Sequence, residues 1–230
     1  MDRVIEPFDP GALESEPDAR DYLLELPLEA KQPARFVCTG LGPLLDQGSS
    51  PMCVAYASTG AKQWEEKRDG HGVLPFDPKW LYGRCKALDG NSTPGTTGRQ
   101  AMRVLKAQGE ALVGSTTPVQ PIAAYYAVPV SVAAIKAALR AYGPLVVGGA
   151  WYASWFRPTR GVLPAPGGGI AGGHEVLVFG WDDAVGGGSL LVRNSWGKYA
   201  GSTNGNFYAP YRVYVPSLWE AWKALDRKGD

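Results

Sequence analysis

Hydrophobic and polar positions follow one rhythm in the first half of the chain and another in the second. The run CVAYASTGAKQWEEKR has no proline, opens on small apolar residues and ends in charges before Gly70, which predicts a helix from Cys53 to about Arg68. Asp77 can cap and Pro78 can take the first helical position, so a second helix is expected from Pro78 to about Ala87. A third runs from about Gly98 to Gln108, where Ala101, Met102 and Leu105 form an apolar stripe and Gly109 closes it. After a short helix from about Ser131 to Tyr142 the texture changes, and a Val-rich strand is expected from Leu145. HEVLVFGWD, SLLVRNSWG and NFYAPYRVYV are β-type runs separated by Gly-rich turns such as 186–188, the pattern of an antiparallel sheet or small barrel. The spacing of Leu218, Trp219, Trp222 and Leu225 predicts a last helix from Ser217 to about Leu225. Residues 1 to about 40 carry Pro7, Pro10, Pro17, Pro27 and Pro33 among scattered charges, which favours an extended arm over a core element.

Composition narrows the function classes more than the fold. At 230 residues, with 45% hydrophobic and 20% charged residues, the chain can bury a sizeable core in one larger domain or two lobes. Its 23 Lys plus Arg stand against 22 Asp plus Glu, so no global field draws it to nucleic acid or an anionic membrane. The uncharged stretch 111–135 is broken by Pro118, Pro121 and Pro129, so no integral membrane segment is expected. The acidic start lacks a secretory signal pattern, which gives the expectation of a cytoplasmic location or a route other than Sec export. Cys38, Cys53 and Cys85 are odd in number. Cys38 and Cys85 are expected to be buried free thiols rather than a disulfide, since nothing brings them together and no oxidising compartment is implied. Neither they nor His71 have metal-ligand spacing, and GGGIAGG lacks the Lys-Ser or Lys-Thr of a phosphate cradle, so no metal or cofactor is expected.

Three short segments stand out for their chemistry: DQGSSPMCVAYA at 46–57, GGHEVLVFGWDD at 172–183 and RNSWG at 193–197. A thiol with pKa about 8.5 becomes a nucleophile when a helix N-terminus and an imidazolium favour its thiolate. Cys53 at the head of a helix and His174 in a strand supply those two parts. An amide such as Asn194 can fix the tautomer and plane of the imidazole.

In order, spacing and wording these segments resemble the papain-like cysteine peptidases, from about Pro43 to Pro210. The resemblance rests on Gln47-Gly48, Cys53 at a helix start, Gly173-His174, and Asn194-Ser195-Trp196-Gly197. It implies a two-lobed α+β fold, with a helical lobe over 41–118, an antiparallel β-rich lobe over 119–216, a cleft between them and a C-terminal helix over 217–230. It also implies a cysteine endopeptidase acting through a thioester acyl-enzyme on peptide or protein substrates, without a cofactor. Cys53 would be nucleophile, His174 base, Asn194 its orienter, and the Gln47 amide with the Cys53 N–H the oxyanion donors. Trp196 would shield the His174–Asn194 contact, and Gly173, Glu175 and Met52 would line the substrate cleft.

This chain departs from the family pattern at several places. Ser50 stands where many members carry a disulfide-forming Cys, Val54 replaces a Trp, and Pro51-Met52 replaces Gly-Ser before the nucleophile. Glu175 occupies a position that is often small and that lines the pocket for the second side chain before the cut, which suggests a basic preference there against the plainer reading of a solvated or locally paired carboxylate. The same triad would also serve a peptidoglycan stem-peptide hydrolase or an acyltransferase, and an inactive binding homologue could keep the cleft alone. The arm is expected either to cross the cleft, as a propeptide-like segment, or to pack outside the β lobe.

Overall fold

The computed structural model of the chain describes residues 11–27, 31–199 and 201–226. Two short strands lie in the arm, β1 (Ala12–Leu13) and β2 (Arg35–Val37). The helical group follows: α1 (Cys53–Arg68), α2 (Pro78–Asp89), β3 (Thr96–Thr97), α3 (Gly98–Ala107), β4 (Glu110–Ala111) and β5 (Pro118–Val119). The sheet group comprises β6 (Ala124–Ala127), α4 (Val132–Tyr142), β7 (Leu145–Tyr152), β8 (Ile170–Asp182), β9 (Ser189–Arg193), β10 (Asn206–Pro210), α5 (Tyr211–Tyr214) and β11 (Leu218–Leu225).

Local chemistry accounts for the helix starts. The Asp77 carboxylate accepts from Lys79 N–H at 3.0 Å, Thr97 Oγ1 from Gln100 N–H at 3.2 Å, and Ser131 Oγ from Ala134 N–H at 3.1 Å. Helix α1 differs, because Met52 precedes it and no side chain caps it. Its first-turn N–H groups therefore stay available to Cys53.

Strand order in the main sheet is β10-β9-β8-β7-β11-β6, with β2 on β8. Strand β7 ends its pairing at Leu145 opposite Val178, and β2 takes up the ladder on Gly180 to Asp182. Both faces of the sheet are covered. One carries an aromatic and aliphatic core with Trp151, Trp155, Trp181 and Leu139 of α4. The other packs Val146, Leu177, Trp222 and Ala224 against the small residues of α1 and the stripe of α3, Ala101, Met102 and Leu105. No helix among the described residues is long and apolar enough to cross a membrane.

The sheet overturns two expectations. The segment 217–225, expected as a C-terminal helix, is the inner strand β11, paired with both β7 and β6. Its two faces meet two different cores, Ala221 on one side and Trp222 and Ala224 on the other. A strand buried on both faces loses period-2 alternation, and its apolar spacing then imitates a helix. In NFYAPYRVYV, the strand stops at Pro210, whose missing N–H cannot extend a ladder, and the rest folds as α5 and a 3₁₀ turn.

Helix α1 is buried almost all round, with 12 of its 16 residues inside, including Lys62, Glu65 and Glu66. These charges persist there because each has a partner. Lys223 of β11 donates to Glu65 Oε1 at 2.5 Å and to Pro144 O at 3.2 Å, Arg68 reaches Glu65 Oε2 at 2.6 Å, and Lys62 pairs with Glu66 and Asp226. Lys223→Ala leaves Glu65 with Arg68 and the Asp226 backbone N–H, both on Oε2, and leaves Pro144 O without its donor. Breaking a buried pair from one side costs about 3–5 kcal/mol, so urea denaturation should show a loss of about 3 kcal/mol, and a change below about 1 kcal/mol would contradict this account of α1.

Candidate active site

The β lobe fixes one half of the site. His174 lies on β8, 1% exposed, with its Nε2 2.8 Å from Asn194 Oδ1. Asn194 cannot flip, because its Oδ1 also accepts from Ser195 N–H at 2.8 Å and its Nδ2 donates to Tyr199 Oη at 3.3 Å. This network makes Nε2 the protonated ring nitrogen and turns Nδ1 the other way. Trp196 stacks on the imidazole, with ring centres 4.7 Å apart and planes 24° apart, and Trp151 meets it edge-on at 4.8 Å. Water is thus kept from the His174–Asn194 contact.

The loop before α1 is tied to the same place. Asp46 bridges to Trp196, Gln47 N–H donates to Ser195 O at 2.7 Å, and Ser195 Oγ donates to Gln47 Oε1 at 2.5 Å. With its oxygen held, the Gln47 amide nitrogen points inward and donates to Ser50 O at 2.6 Å. Met52 stands at the head of α1, half-buried, as the residue before Cys53.

Cys53 is completely buried, and the backbone N–H groups of Val54, Glu175 and Gly11 face its sulfur. Glu175 is the neighbour of His174 on β8, so the thiol lies against the strand that carries the imidazole. Gly11 belongs to the arm. Ala12 and Leu13 pair in parallel with Thr96 and Thr97, and a Cβ on Gly173 would come within 2.1 Å of Ala12 O. Only glycine at 173 admits the arm at this depth. The arm therefore crosses the cleft between the two lobes, and it presents to the sulfur a backbone N–H rather than a carbonyl carbon. Farther on it also braces the β lobe, with Leu23 bridged to Ala127 and β2 on β8. Of the two paths expected, the chain takes both in succession. Burial holds the Cys53 thiol up at about 12 and the His174 imidazole down at about 4, so both are neutral under the arm.

Glu175, expected either in a subsite or solvated, is fully buried, as is most of Glu220 on β11. Burial pushes the Glu175 carboxyl well above the ordinary range, and the nearby Glu220 adds to the effect. Burial raises Glu220 too, while Ser15 of the arm and Gly98 N–H face its carboxyl. The sequence assigned no role to Ser195, Tyr199 or Glu220. Ser195 sits inside the Asn-Ser-Trp-Gly motif and could have been singled out; Glu220 was hidden by the misread strand β11. Cys38 and Cys85 are buried free thiols, and the described residues contain no group of three His, Cys, Asp or Glu able to hold a metal.

Comparison with known proteins places this arrangement. The family model described as "Papain family cysteine protease" matches residues 97–212, which include His174 and Asn194 and leave Gln47 and Cys53 outside. A gut-specific cysteine proteinase of Caenorhabditis elegans is 34% identical over 87 residues, 38% of this chain and 26% of that relative's length. Among solved structures, xylellain, a cysteine protease from Xylella fastidiosa, superposes with a TM-score of 0.85 at 23% identity over 99% of both chains. Procathepsin L 3 from the larval midgut of Tenebrio molitor gives 0.73 at 16% identity, covering 94% of this chain and 76% of that one. The procathepsin B of Trypanosoma congolense gives 0.77 at 16% identity, covering 95% and 87%. These structural likenesses show the fold.

The buried groups give arm seating a definite pH dependence. The neutral thiol and imidazole hold one proton between them, as a thiolate–imidazolium pair would, so opening that pair changes no proton count. Glu175 and Glu220 hold protons more tightly under the arm than in water. They favour the seated arm below the ordinary glutamate value of 4.5, and that contribution is lost as pH rises through their elevated values. Cleavage of the arm between residues 11 and 27 by an added protease, normalised to a free peptide of the same sequence, should accelerate from about pH 5 to pH 8. A rate that is flat or falls would contradict this.

Proposed function

We propose that this chain, which belongs to the papain family of cysteine proteases, hydrolyses peptide bonds with Cys53 as nucleophile and His174 as acid and base. The observation that carries the proposal is the imidazole locked by Asn194 under Trp196, on the strand whose next residue lies against the Cys53 sulfur. The Nε2–H of His174 is committed to Asn194, so Nδ1 is the nitrogen left to exchange a proton with the thiol. Once the arm withdraws, water and the α1 N-terminus favour transfer of the Cys53 proton to His174. The thiolate then attacks the substrate carbonyl carbon, and its oxygen takes the negative charge.

Two N–H donors would meet that oxyanion, the Cys53 backbone and the second N–H of the Gln47 amide, whose oxygen Ser195 holds and whose first N–H goes to Ser50 O. One such donor is worth about 10²–10³ in rate. Collapse expels the amine, which receives the proton from His174, and leaves a thioester on Cys53. Water, deprotonated by the same imidazole, hydrolyses the thioester and restores the thiol. Peptides and proteins are therefore the substrates, and no cofactor enters any step. The family match favours this reading over cell-wall cleavage or acyl transfer, and the joint presence of Gln47, Cys53, His174 and Asn194 favours it over a binding module.

The arm acts as a restraint in this reading. It fills the cleft, keeps the thiol and imidazole neutral, and offers no carbonyl carbon to Cys53. Roles divide accordingly in an assay on a fluorogenic peptide. Cys53→Ala should abolish turnover while leaving the fold intact. His174→Ala should lower kcat by about 10³–10⁴-fold, and Asn194→Ala by about ten- to a hundredfold because it only orients the base. Near wild-type turnover in Cys53→Ala would overturn the proposal, and equal losses in all three variants would overturn the division of roles.

A further inference from the structure

Behind Asn194 the seam between the lobes holds an oxygen with nothing to accept from. Gln63 of α1 is 2% exposed, and its Nε2 donates to Leu74 O at 3.1 Å. That bond fixes the orientation of the amide. Its Oε1 is therefore turned the other way, where no donor meets it among the described residues. A Cβ built on Gly42 would lie 2.5 Å from this oxygen, so the glycine leaves the space into which Gln63 points. A buried carbonyl oxygen is unfavourable without a donor, and the rest of the helix has none to offer it.

Arg193, the last residue of β9, reaches the same glycine from the sheet. Its Nη1 donates to Gly42 O at 2.8 Å and its Nε to Asn206 Oδ1 at 3.1 Å. The guanidinium is half-buried, and burial lowers its pKa with no carboxylate beside it to offset the effect. N–H groups are left over on it as a result. Gly42 touches Arg193 through its carbonyl and Gln63 through the room over its Cα, so the two side chains lie about one small molecule apart. A cavity of about 20 Å³ lies there, lined by both of them and by Gly42, Leu177, Asn194 and Ser195 among others. One water molecule needs about 10–15 Å³ of such space and two or more polar partners.

We propose that this gap is the site of a single bound water molecule, which donates to Gln63 Oε1, accepts from Arg193, and so joins α1 to the end of β9 directly behind Asn194. Complementarity selects the ligand. Gln63 needs a donor and Arg193 an acceptor, and water is both. A halide ion can only accept, so it would meet the Gln63 oxygen unfavourably, and a metal cation would face the guanidinium charge. Size excludes anything larger. The bridge has a mechanical consequence, because α1 carries Cys53 at its head and the chain passes from Arg193 straight into Asn194. Gln63 and Arg193 are thus positioning residues, which touch no substrate but set the orienting amide against the thiol. That consequence rests on the peptidase reading above, whereas the binding of water does not.

High-resolution crystal structures of the full chain and of two variants test the site. The wild-type chain should show one ordered water within about 3.2 Å of both Gln63 Oε1 and a guanidinium nitrogen of Arg193. Gly42→Ala puts a methyl group into the gap, and Gln63→Met keeps side-chain length without the oxygen; the water should be lost from both, and the second variant serves if the first unsettles its loop. In a fluorogenic peptide assay each variant should lower kcat by at least about threefold while KM stays within about twofold, since a displaced Asn194 is felt in the transition state. An unfilled gap, an anion in it, a direct bond between Gln63 and Arg193, or a water that touches only one of them would overturn the site. Water present with kcat unchanged in both variants would overturn its positioning role. A wild-type chain that holds the water but cuts no peptide would contradict the peptidase reading, and the positioning role with it, while upholding the site.

Discussion

Everything in this molecule hangs on the seam where helix α1 meets strand β8. The helix brings a thiol at its head, the strand brings an imidazole and the next backbone N–H, and the two halves come from lobes far apart in sequence. A seam of this kind needs a helix that can be buried on every side. Small residues, Ala55, Ala57 and Ala61, let the first half approach the sheet, while Lys223, Arg68 and Asp226 neutralise the charges of the second half. Removing a charge from water costs several kcal/mol, so these pairs specify where α1 lies more than they stabilise it. Strand β11 is the anchor for that reason: its Lys223 holds Glu65, and its Trp222 packs under α3.

The arm lies across the same seam. Parallel pairing of β1 with β3, the close approach of Ala12 to Gly173 and the Arg99–Asp21 ion pair hold an extended segment where a peptide would lie. Dehydration is its main chemical effect. A thiol and an imidazole that would exchange a proton in water are both held neutral, and burial shifts two carboxyls beside them toward their protonated form. The site is thus assembled in shape and silent in charge.

The parts legible in the sequence were those whose signal is local. Asp77 with Pro78 marks the start of α2, a proline-free run ending in charges marks α1, an apolar stripe closed by Gly109 marks α3, and all three, with the short helix α4, lie where those signals put them. Gln47, Cys53, His174 and Asn194 could be singled out because each sits in a short, distinctive segment. What escaped depended on contacts across the fold. The segment 217–225 imitates a helix because both its faces are buried, and Glu220 and Lys223 look like surface charges until Gly98 and Glu65 are placed beside them. Tyr199, which holds the Asn194 amide, carries no motif at all. The arm's route could not be read from prolines and charges, since it is set by the glycines at 95 and 173 that leave room for Gly11 and Ala12.

The central claim is that Cys53 is a reactive thiol paired with His174 and silenced by the arm. An epoxide that traps thiolates, followed by peptide mapping, tests this directly on the full chain and on a chain lacking residues 1–27. The account predicts label on Cys53 alone, formed slowly in the full chain and at least about tenfold faster once the arm is gone, with the gain lost in His174→Ala. Equal labelling rates with and without the arm, or label on Cys38 or Cys85 in place of Cys53, would contradict it.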